Sequence, residues 1–170
     1  DLQFVYNRYS LSNEKFLNNS FSVPYVFLNP RVGMNYNVNE SVNTYISIAY
    51  TTREPRLKDL YKAEESIWGS TPQFAADTAG GIVRYNFTMP IATPEHLLDL
   101  ELGGVYRDGQ SMASVNIFWM EFQDELIKSG AVDIFGEPVM GNADRSRPIG
   151  VEFQGQIDLA FGFTLSGNTI

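Results

Sequence analysis

An alternation of apolar and polar residues recurs along nearly the whole chain, and it constrains the fold more than any other feature. Leu98, Leu100, Leu102, Gly104 and Tyr106 alternate with Asp99, Glu101, Gly103, Val105 and Arg107. A period of two puts successive side chains on opposite faces of a strand. A helical reading of this stretch fails. Leu97 and Leu100 would align, but Glu101 and the Gly103-Gly104 pair break the stripe. Ile149, Val151, Phe153, Gly155 and Ile157 alternate in the same way with Gly150, Glu152, Gln154 and Gln156. So do Ala113, Val115, Ile117 and Trp119, then Ile46, Ile48 and Tyr50, then Leu28, Val32, Met34 and Tyr36. The pattern is weaker at Leu2 to Tyr9 and at Phe161, Phe163 and Leu165. About seven strands result.

The connections add a second constraint. Short turns are expected at Val38 to Ser41, Asp108 to Ser111 and Asp158 to Ala160. Long segments are expected at Ser10 to Pro24, Arg53 to Glu95 and Gln123 to Pro148. Short and long alternate, so all the long ones fall at one end of an antiparallel meander. That is the pattern of a transmembrane β-barrel. Val42 to Thr52 would run about 36 Å at ~3.3 Å per residue. Tilted by about 45°, it would span about 25 Å, the height of a barrel's apolar band. Within the longest segment, only Arg56 to Ser66 has the makings of a short helix.

Leu98, Leu100, Leu102, Val151, Phe153, Ile46 and Ile48 are predicted to share one face. Tyr36, Tyr50, Tyr106 and Trp119 fall near strand ends, where aromatic girdles sit. A soluble all-β ligand-binding module, such as a carbohydrate-binding sandwich with long loops, shows the same alternation. Strand pattern alone leaves that alternative open.

Composition narrows the partners. Twelve Lys and Arg stand against 20 Asp and Glu, for a net charge of −8, and no basic stripe appears that could track phosphates. Nucleic acid is therefore not an expected partner. The chain has no cysteine, which removes disulfides and thiolate metal sites. No stretch approaches the roughly 20 apolar residues of a membrane helix, a test that does not detect barrel strands. Asp1-Leu2-Gln3 opens directly in patterned sequence, so no signal peptide is expected within the chain. Aromatic residues make up 14%, which suits strands.

Little in the sequence suggests chemistry. Glu121, Asp124 and Glu125 could be paired acids or oxygen ligands for a cation, but their spacing fits no loop motif for either, and solvated charge is the simpler reading. His96 is the only histidine. No G-x-S-x-G, phosphate-binding loop or dinucleotide fingerprint occurs. No catalytic residue, cofactor or metal is expected, and the chain is not read as an enzyme. Asp99, Glu101, Arg107, Glu152, Gln154 and Gln156 are expected on the polar face.

Three stretches carry a family resemblance. Asn29-Pro30-Arg31-Val32-Gly33-Met34-Asn35-Tyr36 leads through a short turn to Tyr45-Ile46-Ser47, then to Arg53-Glu54-Pro55 and Asp59-Leu60-Tyr61. Pro94-Glu95 leads through Asp99-Leu100-Glu101-Leu102-Gly103 to Tyr106-Arg107-Asp108-Gly109. Asp124-Glu125-Leu126-Ile127 is followed by Gly141-Asn142-Ala143, Ser146 and Gly150-Val151-Glu152. Together and in this order they resemble the barrel portion of TonB-dependent receptors of the bacterial outer membrane.

The resemblance implies that residues 1–170 are a partial β-barrel domain of such a receptor, whose barrel has about 22 strands. The plug domain and the closing strands would lie outside it. It also implies active uptake of a scarce nutrient such as a ferric siderophore, cobalamin or glycan. The implied partners are outer-membrane lipid, a small-molecule nutrient, and an inner-membrane energy-coupling protein reached through regions outside this sequence. In such receptors external loops contribute to ligand capture. Arg53, Arg56, Trp68, Arg84 and Tyr85 of the longest loop would suit an anionic or ring-bearing ligand.

Overall fold

The alternating stretches pair into one antiparallel sheet in a computed structural model, which describes residues 1–133 and 135–169. The sheet begins with β1 (Leu2–Leu11), β2 (Phe21–Asn37) and β3 (Val42–Arg53). The long connection that follows holds a one-turn helix α1 (Leu57–Leu60), a 3-10 segment (Ala63–Trp68) and a separate hairpin of β4 (Phe74–Ala79) and β5 (Ile82–Pro90). The sheet resumes with β6 (Glu95–Arg107), β7 (Ser111–Val132), β8 (Pro138–Ser146), β9 (Ile149–Asp158) and β10 (Thr164–Thr169). Its order is β1-β2-β3-β6-β7-β9-β10, with β8 also on β7.

Sequential neighbours and antiparallel pairing make this a meander, as the loop lengths predicted. β9 pairs with the lower part of β7 and β8 with its upper part. The two are thus one line of chain interrupted at Arg147-Pro148, and the main sheet is seven strands wide. It is not closed: β1 and β10 are edges.

Register fixes the faces, because residues opposite each other in an antiparallel pair point the same way. Ile46 pairs Leu102, Ile48 pairs Leu100 and Tyr50 pairs Leu98. Leu102 pairs Ile117, which pairs Val151, while Val115 pairs Phe153. The seven residues predicted to share a face do so. Leu2, Phe4, Tyr6, Val26, Leu28, Val32 and Met34 extend the same face through β1 and β2. Tyr36, Tyr50, Tyr106 and Trp119 also lie on it. Nearly all of these side chains are exposed or half-buried, so a continuous apolar wall faces outward.

The opposite face carries Asn35, Asn43, Tyr45, Ser47, Asp99, Glu101, Asn116, Glu152, Gln154 and Gln156. Tyr45 lies across Gly103: a Cβ there would collide with the ring. With no side chain at Gly103, the ring reaches across β6, and its hydroxyl donates to Asn116 Oδ1 at 3.0 Å on β7. Phe118 covers Gly150 in the same manner.

Four expectations need correction. Gln123 to Pro148 is mostly strand: β7 continues to Val132 and β8 returns from Pro138, so only residues 133–137 connect them. Ser10 to Pro24 shrinks to a connection over residues 12–20. Phe161 and Phe163 are not in a strand. Ala160–Gly162 is a 3-10 turn with Phe161 at φ 65°, and β10 starts at Thr164. The short helix expected over Arg56 to Ser66 is two pieces, α1 and the 3-10 segment, with Lys62 between them.

Candidate ligand-recognition site

The 12–20 and 54–94 connections and the tip of the β7–β8 hairpin lie together at a single end of the sheet. The 54–94 connection folds inward. Leu60, Tyr61 and Phe74 are buried against Phe21, Val23 and Tyr25 of β2 on the polar-face side. The Phe74 ring lies 5.1 Å from Phe21 and 5.1 Å from Phe87. This is the chain's small hydrophobic core, and it holds the loop over the inner side of the sheet's upper rim. Gly80 and Gly81, at φ +61° and +79°, make the tight turn of the β4–β5 hairpin.

Polar ties join this connection to its neighbours. Ser66 donates to Glu14 Oε1 at 2.7 Å, and Glu14 also accepts from the backbone N–H groups of Phe16 and Leu17. Burial works to raise the Glu14 carboxyl, but these donors outweigh it and hold the pKa below the usual range. Asn19 donates to the Tyr61 hydroxyl at 3.0 Å. On the other side, Lys62 Nζ meets Asp133 Oδ2 at 2.8 Å and also pairs with Glu137, both at the β7–β8 tip. Hydrogen bonds to Asp133 and Glu137 push the Lys62 pKa up. The same bond to Lys62, with backbone N–H groups of Glu137 and Phe135, holds Asp133 down against burial.

Between α1, residues 69–73 and the β7–β8 tip lies a cavity of about 540 Å³. Its lining mixes cations (Arg56, Lys58, Lys62, Lys128) with Asp59, Asp133 and Glu137, and adds Tyr61, Phe135 and Met140. Such a wall can hold a polar or charged ligand by hydrogen bonds and an apolar one by its rings.

The five residues singled out from sequence do not converge. Arg53 pairs with Glu95 at 2.9 Å and closes the base of the loop. Arg56 grips Asp59 through Nε at 2.8 Å and Nη2 at 3.1 Å, and is the one of the five that lines the cavity. Trp68 is 69% exposed at the end of the 3-10 segment. Arg84 is exposed on β5 opposite Asp77, and Tyr85 packs half-buried on the core beside Phe87. Sequence reasoning passed over Lys62, Lys128, Asp133 and Glu137. A charge that meets its partner 71 residues away leaves no local signal.

His96 and the acidic cluster sit elsewhere. His96 stacks on Tyr50, and its Nδ1 is 2.9 Å from the Tyr50 hydroxyl and 3.1 Å from Thr52 Oγ1. Glu121 is taken by Arg145 and Arg147, and Glu125 accepts from Ser146 at 2.5 Å. Glu121 and Glu125 thus serve different partners, and among the described residues no group of acids is placed to hold a metal ion.

Comparison with known proteins places this architecture. The family described as TonB dependent receptor-like, beta-barrel matches residues 3–170, and the chain belongs to it. The family consists of outer-membrane proteins of Gram-negative bacteria. Among solved structures, the FrpB iron transporter from Neisseria meningitidis superposes with TM-score 0.59 at 21% identity, over 91% of this chain and 20% of that one. The siderophore receptor PirA from Pseudomonas aeruginosa gives 0.60 at 14% identity, over 98% and 33%. The copper transporter OprC gives 0.63 at 14% identity, over 94% and 23%. The chain thus spans between 20% and 33% of the length of these structures. No curated protein sequence matches it.

Proposed function

We propose that this sheet is a sector of a closed outer-membrane barrel that takes up a scarce nutrient, with the loop layer as its outer recognition surface. The continuous exposed apolar face carries this reading. In water such a face would be a large aggregation-prone patch, whereas in lipid it is the expected wall. Open edges at β1 and β10 are not viable in a bilayer, so further strands must close the ring. The soluble-module alternative would need a second sheet over the apolar face.

The cargo is a ferric siderophore, cobalamin, a glycan or a nutrient of similar kind. The neighbours named above carry differing cargoes, so the shared fold does not choose among them. Energy comes from an inner-membrane coupling protein acting through a plug domain encoded outside these residues. Within the loop layer, Arg56 contributes ligand contact at the cavity, and Arg53, Trp68, Arg84 and Tyr85 contribute it at separate points of the layer. No step of this function makes or breaks a covalent bond in the cargo, so the protein is a transporter and not an enzyme.

The test is a binding and uptake assay on the intact receptor with the loop shortened between Lys62 and Thr88. The reading expects correct insertion with weakened ligand affinity. Unchanged affinity in a correctly inserted variant would remove the loop from recognition.

A further inference from the structure

The outward wall is apolar except at one rim. Among the described residues, the lysines and arginines on the outward face of the sheet or at its β8–β9 break are Arg8, Arg145 and Arg147. All three are at the long-loop end. Arg145 and Arg147 belong to one cluster. Both pair with Glu121, which register places on the outward face two residues above Trp119. Arg147 gives Nε to Glu121 Oε2 at 2.6 Å and Nη2 to Oε1 at 3.3 Å, and its guanidinium lies 5.7 Å from the centre of the Trp119 ring.

Height matters here. Glu121 is ten residues beyond Ser111, where β7 leaves the short turn. At ~3.3 Å per residue and about 45° of tilt, that is roughly 23 Å, the upper edge of the apolar band. A carboxylate on a lipid-facing wall is costly unless paired. One arginine would neutralise it, yet two are present, and the cluster keeps a net positive charge. The Glu121 side chain is 7% exposed, while those of Arg145 and Arg147 are 59% and 45% exposed. Glu121 therefore works as a buried anchor that orients two outward guanidiniums. Each guanidinium has five N–H donors, most of them unused by Glu121. Directly below are Ile117, Ile149, Val151 and Phe153, an exposed apolar bed.

We infer that Arg145, Arg147 and Trp119, held by Glu121, form a headgroup site for a phosphate-bearing lipid of the outer leaflet. The lipid's acyl chains lie on Ile117, Ile149, Val151 and Phe153. The inference rests on the outer-membrane barrel reading. Guanidinium forks match phosphate geometry, and an indole at the membrane interface supports both the cation and the chain below it. The position suits a bound lipid: it is at the upper edge of the apolar band, on the outward face and away from the cavity of the loop layer.

The test titrates the purified, intact receptor with three probes. These are a diphosphorylated, acylated glucosamine disaccharide lipid, the same lipid with both phosphates removed, and inorganic phosphate. Binding is read by native mass spectrometry. The phosphorylated lipid should bind about tenfold or more tighter than its dephosphorylated form. The double variant Arg145→Gln/Arg147→Gln should lose most of that preference. Arg145→Lys/Arg147→Lys should keep part of it, and Arg8→Gln all of it. Equal binding of the two lipids by the parent receptor would overturn the inference with no variant needed, so a Gln variant that fails to fold leaves it exposed to refutation. Unchanged preference in the double Gln variant, or phosphate alone competing as well as the lipid, would overturn it too. Failure of the parent receptor to insert into bilayers is a separate result, which counts against the barrel reading itself.

Discussion

Lys62 and Asp133 stand 71 residues apart in the chain and meet at 2.8 Å, joining the longest loop to the tip of the β7–β8 hairpin. Glu137 pairs with the same ammonium, so the lysine sits between two carboxylates. A loop tied to the hairpin in this way gives the cavity a fixed wall. Replacing Lys62 by Met should let that wall open. Hydrogen exchange should rise severalfold over residues 69–73 and 133–137, with the transmembrane strands unchanged. Equal protection in variant and parent would mean the pair contributes nothing to loop order.

The same contacts set a pH window. Glu14 and Asp133 have depressed pKa values, so their contribution is present above the unfolded carboxylate range, about 3.9 to 4.3. It is lost as pH falls through their lower folded values. Lys62 is raised, so its contribution is complete below about 10.4 and is lost as pH climbs through the higher folded value. The loop layer should therefore hold one geometry from about pH 5 to pH 10 and loosen beyond either limit. Spin labels at Thr71 and Phe135 would report this as a constant distance that broadens at the extremes. Broadening near neutral pH would contradict it.

Phe74 is the loop's main anchor, 1% exposed between Phe21 and Phe87. Phe74→Ala should cost about 3 to 5 kcal/mol of local stability. The expected outcome is protease cleavage within residues 62–90 while the barrel keeps its heat-resistant mobility on gels. A barrel that unfolds along with the loop would show that the two are one cooperative unit.

Two glycines in the same sheet should respond differently. Gly103→Ala drives a methyl into the Tyr45 ring and should break the hydroxyl's bond to Asn116, at about 1 to 3 kcal/mol. Gly155→Ala meets nothing within 4 Å and should be nearly neutral. Urea titration of folding into vesicles reads both. A neutral Gly103→Ala would show that the ring moves aside freely.

The transmembrane half of the fold was legible because lipid imposes a rule on it. Ile46, Ile48, Leu100, Leu102, Ile117 and Val151 must be apolar, while their neighbours need not be. Above the rim that rule lapses. β7 continues past Gln123, Asp124 and Glu125 to Val132, held by backbone pairing with β8 rather than by an apolar face, so the period-two signal disappears where the strand does not. The loop layer was legible as a loop and no further. Its core joins Leu60 and Phe74 to Phe21, and its cavity joins Lys62 to Asp133. These are contacts between distant segments that no local window contains. Arg56 could be picked out by chemistry, but nothing in the sequence tied it to the β7–β8 tip.

The central claim is that the face carrying Ile48 meets lipid and the face carrying Ser47 does not. Adjacent residues on β3 allow a direct comparison, since Ile48 pairs Leu100 and Ser47 pairs Glu101. The measurement is the free energy of folding of the intact receptor into lipid vesicles for Ile48→Arg and Ser47→Arg. Ile48→Arg should destabilise by about 2 to 4 kcal/mol, the cost of an arginine near the midplane of the lipid wall, and Ser47→Arg should change little. Equal costs at the two positions, or the larger cost at Ser47, would contradict the barrel reading and the register on which it stands.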